Sequence, residues 1–173
     1  GLEHIQLPSN SPVTCGSVND TELIFGHADG SVSTFEDSIL EEGALVTSIA
    51  LGPYGWISGH EDGSISMKNK SETLLGSIDS VEIVETIGWA SSFDGMNVQI
   101  MILGEEANTI FHDSRLRQMD SSSNGIVLGD DQGRVYFVES EVMQRRINSQ
   151  LEEPGNESKN SDLRERLRML RNR

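Results

Sequence analysis

The sequence predicts an all-β chain of about four tandem units, each a small four-stranded antiparallel sheet, followed by a helical tail. Three observations carry this reading. One segment recurs almost unchanged: LIFGHADGSVS from Leu23, WISGHEDGSIS from Trp56 and IVLGDDQGRVY from Ile126. Each copy holds two runs rich in Val, Ile and Leu around an Asp-Gly or Gln-Gly pair, which is the signature of a β-hairpin. Its second run alternates, with Val32 between Ser31 and Ser33 and Ile65 between Ser64 and Ser66, so one side of the strand is apolar. A unit repeated in this way cannot bury its apolar side alone and must stack on its neighbours.

The elements follow in order. Val13–Val18 is a strand that turns at Asn19-Asp20, and residues 45–51 form the next, turning at Gly52-Pro53-Tyr54-Gly55. There Pro presets the torsion of a turn's second position and Gly accepts positive φ. Weaker strands, Ser38–Leu40 and residues 73–75, come after the first two hairpins. Gly26, Gly59 and Gly129 mark the copies at separations of 33 and 70 residues, and the longer interval holds a further copy, ILGEEANTIFHD, with Gly104 as its marker. Hairpin turns are expected at Ala28-Asp29, Glu61-Asp62, Glu106-Ala107 and Asp131-Gln132. The units run over residues 5–40, 43–78, 81–117 and 118–140.

Beyond residue 140 the pattern changes. Val142, Met143, Arg146 and Ile147 have helical spacing, which predicts a helix over 141–153 that Pro154-Gly155 stops. Residues 154–160 form a polar linker. Ser161-Asp162 then offers an N-cap to a helix over 161–173 in which Leu163, Leu167 and Leu170 lie on one side, flanked by Arg164, Arg168 and Arg171. Such a stripe fits a groove on a partner protein, with the arginines meeting acidic groups.

Ser58-Gly59-His60-Glu61-Asp62-Gly63 resembles the hairpin of a WD-repeat β-propeller blade. Phe35-Glu36 stands where that family has Trp-Asp, and Phe111-His112-Asp113-Ser114-Arg115 resembles its Trp-Asp-x-Arg ending. No unit carries the Trp-Asp pair itself, and Gln132 replaces the turn aspartate in the last. The resemblance, over about residues 5–140, implies four-stranded blades packed around a ring and places the hairpin turns on its upper face. His60, Glu61, Glu105, Glu106, Asp130 and Asp131 would then rim an acidic face suited to a basic peptide. WD-repeat rings have about seven blades and propellers four to eight. The resemblance therefore implies an incomplete ring, completed by another chain or another polypeptide segment, with a closed four-unit ring as the alternative.

A net charge of −15 opposes phosphate backbones, which excludes direct nucleic-acid binding by the repeats. The apolar runs are strand-sized and predict no membrane span. A lone Cys15 cannot build a disulfide framework or a Cys-rich metal site, and no basic-then-apolar leader follows Gly1, so an intracellular protein, cytoplasmic or nuclear, is expected. His27 and His60 occupy equivalent places with no repeating third ligand and read as hydrogen-bonding groups. Asp29 and Asp62 read as turn aspartates that bond nearby amides. No nucleophile elbow, Walker loop or zincin helix is present, and no metal or cofactor is expected. The expectation is a non-enzymatic scaffold for protein assembly. Recognition of basic peptides is the alternative, and a hydrolase or quinone-dependent propeller enzyme is a third class.

Overall fold

The computed structural model describes residues 4–104, 107–143 and 145. Among them, four antiparallel sheets follow one another along the chain. The first is β1 (Val13–Val18), β2 (Leu23–His27), β3 (Val32–Ser33) and β4 (Ser38–Leu40). The second is β5 (Val46–Gly52), β6 (Gly55–His60), β7 (Ser64–Met67) and β8 (Lys70–Thr73). β9 (Ser77–Val84), β10 (Ile87–Phe93), β11 (Val98–Leu103) and β12 (Ala107–His112) make the third. The fourth has three strands, β13 (Leu116–Ser122), β14 (Gly125–Asp130) and β15 (Val135–Glu139). In each, strands are ordered as in sequence. The chain divides into two compact units, Gly1–Ser140, which holds these four sheets, and Glu141–Arg173, of which residues 141–143 and 145 are helical. No helix of the described residues is long and apolar enough to cross a membrane.

The first strands of the sheets pack in series, β1 on β5, β5 on β9 and β9 on β13. Ile24 and Val32 of the first sheet meet Val46 and Ile49 of the second in one buried cluster, with Leu51 and Trp56 against it. Ile57 and Ile65 of the second meet Ile78 and Val81 of the third in the next. Alternation explains this: odd positions of β6 point to one neighbour and even positions to the other, so every middle sheet is buried on both faces.

The hairpin corners share one design. In the first, Gly30 N–H donates to the His27 carbonyl at 3.1 Å, and the Asp29 carboxylate accepts from the Ser31 amide at 3.0 Å and its hydroxyl at 2.7 Å. Asp62 repeats this with Ser64 at 2.9 and 2.6 Å. Gly30, Gly63 and Gly133 close these turns with φ of 86°, 87° and 77°, which a side chain would resist. Both aspartates titrate below the usual carboxylate range, chiefly because the serine hydroxyl and then its amide bond the charged form.

The third unit differs from its sequence alignment. Its second hairpin turns at Asp94-Gly95, where Gly95 has φ 100° and Asp94 accepts from the Met96 and Asn97 amides. Gly104 follows β11 instead, so it is no counterpart of Gly26. Phe111-His112 consequently lies in a fourth strand, whereas Phe35-Glu36 follows a third strand. The Gly-His signature is missing here because Ser91 and Ser92 stand in its place. Ala107 opens β12 and Glu106 lies outside the described residues. β8 precedes the expected 73–75 because Lys68-Asn69 turns the chain at once, pairing Met67 with Lys70. β9 and β13 begin at Ser77 and Leu116, inside the stretches counted to the preceding units.

Candidate functional site

Three repeated hydrogen bonds fix which residues correspond between sheets. Ala28 N–H donates to Pro12 O at 2.9 Å, Glu61 N–H to Leu45 O at 2.9 Å and Asp131 N–H to Arg115 O at 3.0 Å. Beside each, the first strand carries a bulge, at Val13/Cys15, Val46/Ser48 and Leu116/Gln118. Hence Ile24, Ile57 and Val127 correspond, as do Gly26, Gly59 and Gly129. Through the pairs Gly26–Val32, Gly59–Ile65 and Gly129–Val135, so do the third-strand residues.

Equivalent residues have opposite fates. Ile24 and Val32 are 0% exposed, and Ile57 and Ile65 are 1% and 0%, because the next sheet covers them. Val127 and Val135 are 39% and 71% exposed, and Phe137, paired with Val127, stands open beside them. The first sheet shows the converse. Val46, which covers the first sheet, is 0% exposed, while its counterpart Val13 is 48% exposed and Val18, the counterpart of Leu51, is 70% exposed. Each end of the series therefore presents one half of a junction that occurs between sheets inside the molecule.

The glycines sharpen the point. A Cβ added at Gly26 would come within 2.5 Å of Val46, and one at Gly59 within 2.2 Å of Ile78, so both are glycine because the next sheet approaches closely. A Cβ at Gly129 would meet nothing nearer than the Gln118 carbonyl at 3.9 Å. A hydroxyl also crosses each junction: Leu51 N–H donates to Ser17 Oγ at 3.0 Å, Val81 N–H to Ser48 Oγ at 3.1 Å and Met119 N–H to Ser80 Oγ at 3.2 Å. Asp120, paired with Val127 as Ser17 is with Ile24, holds the place of Ser17 on the open face.

The residues assigned from sequence to an acidic rim are placed differently from one another. His60 is buried, with Nδ1 2.8 Å from Ala44 O and Nε2 3.0 Å from Ser58 Oγ. A carbonyl only accepts, so Nδ1 donates to it, and the hydroxyl, which can donate or accept, partners Nε2; His27 makes the same contacts with Ser11 O and Ser33 Oγ. Asp130 is also an interior group. Burial alone would raise its carboxyl, but the Arg134 amide and guanidinium and the Gln132 amide outweigh that and hold it below the ordinary value. Glu61 and Asp131 are exposed beside these two, on different sheets. Glu105, Glu106, Leu163, Arg164, Leu167, Arg168, Leu170 and Arg171 lie outside the described residues. Among the described residues no group of three His, Cys, Asp or Glu is placed to hold a metal. A polar cleft of about 270 Å³ adjoins Asp29, Glu41 and Glu42, but the Asp29 carboxylate is already bonded by Ser9 and Ser31.

No protein-family model and no curated protein matches the sequence. Solved structures match the fold. The computationally designed Ika4 protein is similar with a TM-score of 0.61 and 19% identity, over 80% of this chain and 98% of that one. The computationally designed Ika8 protein is similar with a TM-score of 0.59 and 18% identity, over 78% of this chain and 48% of that one. This chain thus spans about half the length of Ika8. The fold is a β-propeller-like series of antiparallel sheets.

Proposed function

We propose that this chain is a non-enzymatic scaffold of the WD-repeat kind, an incomplete propeller whose end sheets are assembly surfaces for another sheet-bearing polypeptide. The observation that supports it is the exposure of Val127 and Val135 at positions where Ile24, Val32, Ile57 and Ile65 are core. Burying a side chain of this size contributes roughly 1.5–3 kcal/mol, so Val127, Val135 and Phe137 together reward a partner that continues the series. An apolar patch of this kind on a protein surface marks an interaction site.

A triple variant, Val127→Ser, Val135→Ser and Phe137→Ser, tests the reading with a dye that fluoresces on apolar surface and with sedimentation. The parent chain is expected to bind the dye when dilute or to form higher-mass species when concentrated, and the variant to do neither while keeping its strand circular dichroism. A parent that stays monomeric and binds no dye, with a variant indistinguishable from it, contradicts the reading.

A further inference from the structure

We infer that the polypeptide docking on these faces is a second copy of the same chain, added head to tail, so that the open face of one copy's fourth sheet receives β1 of the other. This rests on the assembly reading above and names its partner. The structure holds both halves of one junction on one chain. The fourth sheet presents Val127, Gly129 and Val135, the counterparts of Ile24, Gly26 and Val32, and the first sheet presents Val13 and Val18, the counterparts of Val46 and Leu51. Any sheet-bearing partner needs a residue that fits above Gly129; Val13 occupies the place from which Val46 covers Gly26.

The polar contact is supplied as well. Leu51 N–H donates to Ser17 Oγ within the chain, and at the new junction Val18 N–H stands in the place of Leu51 and the carboxylate of Asp120 in the place of the Ser17 hydroxyl. An anionic acceptor shortens and strengthens such a bond. Closure is also geometrically sensible. Among the described residues β13 and β1 are not packed together as the other first strands are, so the four sheets form an open series. Two copies joined at both ends bring eight sheets, within the range of propeller rings, and one copy corresponds to 48% of the designed Ika8 chain. A head-to-tail junction that did not close would instead grow into filaments. Each copy carries −15, so the two repel one another and added salt strengthens their association, opposite to the response of a basic ligand.

Sedimentation equilibrium of the full chain, over a range of concentration and salt, tests this. The expected species has twice the 19.0 kDa mass of one chain and becomes more populated as salt rises. Gly129→Phe, which meets open space within the chain, is expected to give the single-chain mass with unchanged circular dichroism and the melting of the dilute, single-chain parent. Val18→Glu is expected to do the same from the other end. Mixing the two variants is expected to restore a two-chain species through the one intact junction, with no further growth. A dimer that survives Gly129→Phe, a dimer weakened by salt, or growth into filaments overturns the inference. A monomer whose dye binding disappears in the triple serine variant overturns the second copy alone and leaves the surface for another chain. A monomer that binds no dye overturns both readings.

Discussion

The side of the second sheet that meets the third and the open side of the fourth sheet carry the same kind of residue at the same repeat positions, yet one is core and the other is surface. Ile57, Gly59 and Ile65 are sealed by Ile78 and Val81, while Val127, Gly129 and Val135 face outward. The difference lies in what comes next along the series, since residue type and strand pairing are alike. Apolar character at a repeat position therefore reports the unit's stacking plan, and exposure reports where that plan has a free end.

The comparison breaks most visibly under truncation. Ile57→Ala is expected to cost about 2–5 kcal/mol in urea unfolding, because the lost side chain leaves a cavity among sealed neighbours. Val127→Ala in dilute protein is expected to stay within about 0.5 kcal/mol. Equal costs would mean that Val127 is packed in the single chain.

Adding a methyl group gives the next largest contrast. Gly59→Ala places Cβ against Ile78 and is expected to destabilise by about 1–3 kcal/mol, measured in the same way. Gly129→Ala enters open space, and its expected effect on the dilute chain is within about 0.5 kcal/mol.

The turns give the smallest effect and a pH signature. Asp29 and Asp62 are held below their ordinary carboxyl value when folded, first by the Ser31 and Ser64 hydroxyls. A depressed folded pKa means that the unfolded chain takes up protons first on acidification. Their stabilisation is then complete above about pH 4 and is lost as pH falls through the folded value. Unfolding curves at pH 5 and pH 3 should therefore converge for the Asp29→Asn, Asp62→Asn double variant more than for the parent. Solvent at these turns, where Asp29 is half-buried and Asp62 exposed, limits the effect to at most about 1 kcal/mol per turn.

How much of this was legible in the sequence differs by element. The Asp-Gly corners of the first two hairpins were readable because a positive-φ glycine and an amide-bonding aspartate are needed locally. The third corner, Asp94-Gly95, is equally local but lacks the neighbouring Gly-His signature, because Ser91 and Ser92 stand in its place, and Gly104 is a false marker. Side-chain direction was legible in the alternating runs at Val32 and Ile65 but not at the corners: His60 and Asp130 sit one residue from exposed Glu61 and Asp131, and only the strand register sends the first pair inward. Gly129 shows the limit most clearly. Its identity was plain, but its meaning depends on a neighbouring sheet that Gly26 and Gly59 have and it lacks.

Solvent access at Val135 tests the central claim most directly. With methyl-labelled valines and a soluble paramagnetic agent, Val32 serves as the internal standard for a sealed position. The Val135 methyls are expected to broaden fully in dilute protein and to become protected as concentration rises, approaching Val32. Val135 methyls that remain as accessible at high concentration as at low, with Val32 protected throughout, would contradict the account.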